Sequence, residues 1–433
     1  MRHRLFALVL LLLPFTAHAV PAIQEAHLEN GLRILLMEAH NVPMVSMRLT
    51  MAAGSRFDPT GKGGAASLLA SMLSDHTAQH DHDAWADLLD SDAIQLGSSV
   101  GRDELNLSLT TLKDVLNPGI DAFAEALLQP GWNRKRFALM KQDALAAAQK
   151  ELEDAGTQAS EAAAVLLFAG HPYGHRPNGS LASLTHVNLA DLKRLYGNQV
   201  KPQGAVLAVS GDITMDELKP LLEKKLADWR GAPATGLNDI IPPQAVRGKN
   251  VDMQLPTSQT QIQLLRLGPT RGDENFFPVF VLNHILGGGG FGSRLMEEVR
   301  EKRGLVYGVY SYFSPLATNG AFVISLSTRG DQADKAEGVV RTVLAEMAAG
   351  KVTKKQLTAS KENLTGSFAQ RMDSNRERVS LIAMIGLYNL PLDYLSVWTE
   401  RVDAVTLQQL RHQAATYLNP DEWNRVRVGA GLK

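Results

Sequence analysis

The sequence predicts an α+β fold made of one unit used twice in tandem, each sheet covered by helices on one face. Three observations predict it: self-similarity at a fixed offset, strands that alternate apolar and polar residues, and helical patterns that come in runs. Val187, Asn188, Leu189, Leu192 and Lys201-Pro202 recur as Val405, Thr406, Leu407, Leu410 and Asn419-Pro420, an offset of 218. ELNLSLTTLKD (104–114) recurs as AFVISLSTRGD (321–331) at 217, and WNRKRF (132–137) as VTKKQL (352–357) at 220. Three blocks in one order at nearly one spacing indicate a duplicated domain.

The elements follow in order. Residues 1–19, MRHRLFALVLLLLPFTAHA, join a basic start (Arg2, Arg4) to an apolar run too short to span a bilayer and a small-x-small cleavage signature at Ala17-His18-Ala19. They read as a secretory signal peptide, so the chain is expected to be exported, periplasmic or secreted, with no membrane span after cleavage. In the first half, 22–230, Val45, Met47, Leu49 and Met51 alternate with Ser46, Arg48 and Thr50 to give a strand with one wet face. Leu105, Leu107 and Leu109 repeat the pattern, and 205–209 is a short central strand. Helical periodicity marks 64–74, 117–129, 133–153 and 188–198. Residues 231–250, GAPATGLNDIIPPQAVRGKN, have linker chemistry. The second half, 251–433, repeats the plan with strands near 261–266, 307–313 and 321–327 and helices near 276–286, 333–349, 354–371 and 406–417.

Composition excludes several functions. Lys+Arg is 44 against 45 for Asp+Glu, which falls to 42 basic residues after signal removal, so there is no basic excess for nucleic acid. Cysteine is absent, which removes disulfides, thiol nucleophiles and thiolate metal sites together.

Five strings then converge: Asn30-Gly31-Leu32-Arg33, Ala53-Gly54-Ser55-Arg56, Gly61-Lys62-Gly63-Gly64, His171-Pro172-Tyr173-Gly174, and GGGGFGSRLMEEVREKRGLVYGVYS over 287–311. Together they resemble the pitrilysin/insulinase family of zinc peptidases, in the branch with two-domain subunits that includes mitochondrial processing peptidase. The resemblance spans essentially the whole mature chain. It implies two α/β-roll domains per subunit and two subunits closing around an unfolded peptide.

In active members the helix after the glycine turn carries HxxEH, two metal-binding histidines on one helix face with a glutamate base between them. Laid on that helix, this chain offers Ser67, Ala70 and Ser71, and Ala147 falls where the resemblance implies a third, glutamate ligand. Neutral hydroxyls and methyls neither bind zinc well nor accept a proton. The nearest carboxylates are Glu151 and Glu153. No metal is therefore expected in this chain. One rescue is His76-Thr77-Ala78-Gln79-His80-Asp81-His82, with histidines at i and i+4; Gln79 cannot serve as a base, and the bland reading is a solvated surface cluster.

The second half keeps more. Gly288, Gly289, Gly290 and Phe291 precede a helix that Ser293 is expected to cap and Gly304 to stop. No Lys-Ser/Thr follows, so a phosphate-cradling reading fails. The resemblance implies that an arginine and a tyrosine at the spacing of Arg300 and Tyr307 hydrogen-bond the substrate and its oxyanion. Read from the residues alone, Arg300 pairs with Glu297 and Tyr307 packs at a strand start. The expected function is a zinc-less subunit of an exported heterodimeric peptidase whose partner brings the zinc. The alternatives are a peptide-binding or scaffold protein without turnover, and an independent hydrolase using the His76–His82 cluster.

Overall fold

A computed structural model describes residues 21–430; the expected signal peptide lies outside them. The first half forms a six-stranded sheet from β1 (Gln24–His27), β2 (Arg33–Glu38), β3 (Met44–Met51), β4 (Gln95–Val100), β5 (Leu105–Leu112) and β6 (Val206–Gly211), in the order β1-β2-β6-β3-β5-β4. The second half forms a five-stranded sheet from β7 (Asn250–Gln254), β8 (Gln259–Leu267), β9 (Val309–Ser314), β10 (Ala321–Arg329) and β11 (Asn424–Gly429), in the order β7-β11-β8-β10-β9. Without β1 the two orders are the same, and in each the first pair is parallel and the others antiparallel. The fold is thus two tandem copies of one α/β roll. Residues 231–249 between them hold no helix or strand.

Register follows the alternation. Met47 pairs with Leu109 and Val209, and Leu49 with Leu107 and Leu207, so one face of the first sheet is a continuous apolar layer. That layer packs on α1 (Ala65–Asp75) through Leu69, Met72 and Leu73, on α2 (His82–Ser91) through Trp85, and on α3 (Leu116–Leu128) through Ile120, Phe123 and Leu127. The longer α4 (Arg134–Glu151) lies outside them, capped by the Asn133 side chain, and only Ala148 on it is buried.

The expectation of a wet second face needs correction. The second-half helix Asn375–Leu387 crosses onto the first sheet, and Val379, Ile382 and Ala383 join a core with Leu35, Met37, Val206 and Ala208. Reciprocally, α5 (Ala155–Leu167) of the first half lies on the second sheet, with Ala159, Ala163 and Leu167 against Leu265, Val426 and Val428. Each half thereby covers part of the other's sheet. The approach is close: a Cβ on Gly386 would sit 2.4 Å from Val206 Cγ1. At ~1.5–3 kcal/mol per buried large aliphatic side chain, this exchange is a major share of what holds the halves together.

A buried carboxylate fixes the same seam. Asp103, fully buried, accepts hydrogen bonds from the Tyr173 hydroxyl at 2.5 Å, the Tyr388 hydroxyl at 3.0 Å and the Ala317 amide at 2.8 Å. Tyr173 belongs to the first half, Ala317 and Tyr388 to the second.

Candidate functional site

α1 begins where Gly64, at φ +98°, turns the chain, and Asp58 accepts from the amides of Gly64 and Ala66 at 2.8 and 2.7 Å. Only glycine adopts that φ without strain. Asp58 thus serves as the helix's N-terminal anion, beside His175 at 3.1 Å. On the exposed side of α1, Ser67 donates to Asn178 at 3.2 Å and Ser71 donates back to the Ser67 carbonyl at 3.1 Å. Ala70 between them is buried, and its carbonyl accepts from Ser98 on β4. Ala147 is exposed on α4. Glu151, the nearest carboxylate in sequence, is held by Arg176 in a bidentate pair at 2.7 and 2.9 Å. These residues do not fit a zinc ion: two neutral hydroxyls, two methyls and an already paired carboxylate make no ligand set.

The histidine cluster is only in part a solvated surface group, since His82 is exposed and His80 half-buried while His76 is not. His76 is buried, with Nδ1 2.9 Å from Asp75, and its Nε2 accepts the Asn133 amide at 3.3 Å. His80 faces Glu125 at 2.8 Å, and His82 faces Asp75 at 3.1 Å. Asp75 is also clamped by Arg136, which with the histidines outweighs burial and holds its carboxyl below the usual range. The three rings therefore tie α1 to α2, α3 and α4 through two carboxylates, Asp75 shared by His76 and His82, and Glu125 facing His80. Among the described residues no group of three or more histidines, aspartates or glutamates is placed to hold a metal. The independent-hydrolase reading loses its site.

The second-half segment differs from expectation in its details. The helix Phe276–Asn283 widens into a π turn over His284–Gly288, closed by the Gly289 amide on the His284 carbonyl at 2.8 Å. The glycines are needed by packing. A Cβ on Gly287 would sit 2.5 Å from the Ser311 amide nitrogen, on Gly288 2.6 Å from Asn283 Nδ2, and on Gly289 2.7 Å from the His284 carbonyl oxygen. Gly290 supplies a positive φ of +60°. Ser293 is no side-chain cap; its hydroxyl turns back to the Gly290 carbonyl at 2.7 Å. The following helix is also π-wound, over Met296–Glu301, and stops at Gly304 with φ +61°, where the Leu305 amide returns to the Val299 carbonyl.

Arg300 does not pair with Glu297, which takes Lys302 instead. It contacts Glu301, and its guanidinium carbon lies 5.0 Å over the Phe291 ring. β9 starts at Val309, not 307, so Tyr307 stands in the preceding loop with 88% of its surface exposed. Phe291 is 71% exposed. Among the described residues no hydrogen bond, ion pair or ring contact joins Arg300, Tyr307 or Phe291 to α1.

Sequence reading passed over two features of the seam. The Asp103 carboxylate is one. The other is Glu104, where burial, with Asp103 alongside, pushes the carboxyl up to about 7. Both sit in GRDELN, and consecutive acidic residues flanked by arginine are a weak signal on their own.

Comparison with known proteins fits this geometry. Residues 33–169 match the family described as insulinase (peptidase family M16), and residues 186–364 the peptidase M16 inactive domain. A solved peptidase M16 inactive domain from Pseudomonas fluorescens is similar at 32% identity and a TM-score of 0.90, covering 95% of this chain and 98% of that one. A non-peptidase homolog, YmxG of Helicobacter pylori, is 24% identical over 413 residues, 94% of both chains. An uncharacterized zinc protease YmxG of Bacillus subtilis is 25% identical over 354 residues, 81% of this chain and 85% of that one.

Proposed function

The chain belongs to the M16 (insulinase) peptidase family, and we propose that it is the zinc-less subunit of an exported, two-subunit peptidase. The observation that carries this reading is the contrast between α1, which holds no ligand set, and the second-half loop, where Tyr307 and Phe291 are exposed and Arg300 lies half-buried beside Phe291. A sister subunit bearing HxxEH supplies the metal. This chain supplies a guanidinium fork and a neutral phenol to the substrate carbonyl oxygen across the chamber. Gly288, Gly289, Gly290 and Phe291 shape the wall beside them. The unfolded peptide lies extended and adds to a sheet edge through its backbone. Among the described residues no helix is long and apolar enough to cross a membrane.

The test mixes this chain with an HxxEH-bearing homologue from the same organism and follows cleavage of an unstructured peptide. The chain alone is expected to be inert and the mixture active. Arg300→Ala or Tyr307→Phe should lower turnover of the mixture ~100-fold, the scale of one lost oxyanion donor. Unchanged turnover in both variants overturns the site assignment. Peptide binding with no turnover in any mixture favours the scaffold reading, which the non-peptidase relative supports.

A further inference from the structure

The face of the first sheet turned toward the second half is divided. Over β2 and β6 it is apolar and lies under the helix Asn375–Leu387. On β3 and β5 the same face carries Ser46, Arg48, Thr50, Asn106, Ser108 and Thr110, which alternation places opposite the apolar layer. A trough runs over this polar part. A hollow of about 280 Å³ lies between β3, β4 and the first turn of the helix, and a larger one of about 450 Å³ lies toward Arg102 and Arg271. Arg48 lines both, and Arg376 lines the first together with an outer hollow of about 380 Å³.

Charge in this trough is unbalanced. Among the described residues, Arg48 and Arg376 make no side-chain hydrogen bond or ion pair, and Arg48 Nε is buried without a partner. A merely solvated arginine keeps that nitrogen wet. Arg102 and Arg271 donate to carbonyl oxygens, of Tyr173 at 3.2 Å and Pro315 at 3.4 Å, and lie over aromatic rings, Arg102 over Phe168 and Arg271 over Phe276 and Tyr388. Arg378 in the outer hollow is held by the Met372 carbonyl and Asn375. The carboxylates on the walls are Glu104 in the larger hollow, where it attracts Arg48, and Asp373 in the outer one. Two guanidiniums on one hollow with no carboxylate between them repel, and an anion bridging them removes that cost.

The trough also borders β4, an edge strand of the sheet. An extended chain paired there would set alternate side chains toward Arg48 and Arg376. We infer that the trough selects peptides that carry a carboxylate, gripped between Arg48 and Arg376. This rests on the peptide-holding reading above and names its substrate class.

The carboxylate can come from an acidic side chain or from a chain terminus, and three labelled peptides separate the sources. One has a central Glu pair and an amidated end, one has Gln in place of Glu with an amidated end, and one has Gln with a free C-terminus. Binding to the mature chain is read by fluorescence anisotropy at fixed salt. The Glu peptide or the free-terminus peptide is expected to bind about tenfold tighter than the neutral one, the scale of one charge-assisted hydrogen bond. Arg48→Gln and Arg376→Gln should each erase that preference. Arg329→Gln, which changes net charge equally at a distant exposed pair with Asp331, should keep it. Arg376 is exposed on the first turn of its helix, so its variant reports even if Arg48→Gln folds poorly. Equal binding of all three peptides overturns the carboxylate preference and leaves the peptide-holding reading intact. Loss of preference in Arg329→Gln also overturns it, and no binding of any peptide overturns both.

Discussion

On α1 the hydroxyls of Ser67 and Ser71 are taken by Asn178 and by the helix's own backbone, and Ala70 is buried under β4. In the second half, Phe291 and Tyr307 are exposed, and Arg300, half-buried, contacts Phe291 and Glu301. The two halves share a strand order, so this difference does not come from the scaffold. It teaches that side chains the fold engages explain themselves by packing. An 88%-exposed tyrosine and a 71%-exposed phenylalanine, by contrast, bury little apolar surface, so packing does not account for them. The same division separates the seam, where the Asp103 carboxylate and the apolar contacts of the crossing helices are buried, from the exposed tip of the loop at 287–307.

The sharpest way to break this comparison is at the seam. Ile382→Ala empties a fully buried site between the crossing helix and the first sheet and should cost about 3 kcal/mol in urea unfolding. A loss under about 1 kcal/mol would mean that the helix is not seated there.

Glu104→Gln sharpens the comparison through pH. The folded state raises this carboxyl to about 7, so its proton is held more tightly by the fold than by the unfolded chain. The sign follows: there is no penalty below the ordinary value of 4.5, and stability is lost as pH rises from there to about 7. The loss is on the order of 2–3 kcal/mol, given the side chain's contact with the cavity. Glu104→Gln should therefore gain on the parent at pH 8 and match it at pH 4.5, read as the difference in urea midpoints. A constant difference across that range would count against a strained Glu104.

The smallest effects belong to the free side chains. Tyr307→Phe and Phe291→Ala should each leave the melting free energy within about 0.5 kcal/mol. Ser67→Ala, which removes one part-exposed hydrogen bond, should stay near that limit and leave the turnover of the mixture untouched. A destabilisation above 1–2 kcal/mol at Tyr307 would recast it as a packing residue.

Much of the architecture was legible in the chain. Alternation over 44–51 and 105–109, and the repeat offset near 218, carried the strand plan and its duplication because side-chain period and register are local properties. The loss of ligand chemistry at Ser67, Ala70, Ser71 and Ala147 was equally local, since an absent imidazole or carboxylate cannot be restored by folding. Only the tertiary structure decided the rest. It buried His76 against Asp75 and Asn133, freed Tyr307 from its strand, and passed a helix from each half onto the other's sheet. It also left Arg48 facing Arg376 across 328 residues of sequence. Those outcomes depend on which surfaces meet at long range, where contact rather than local pattern sets burial and charge.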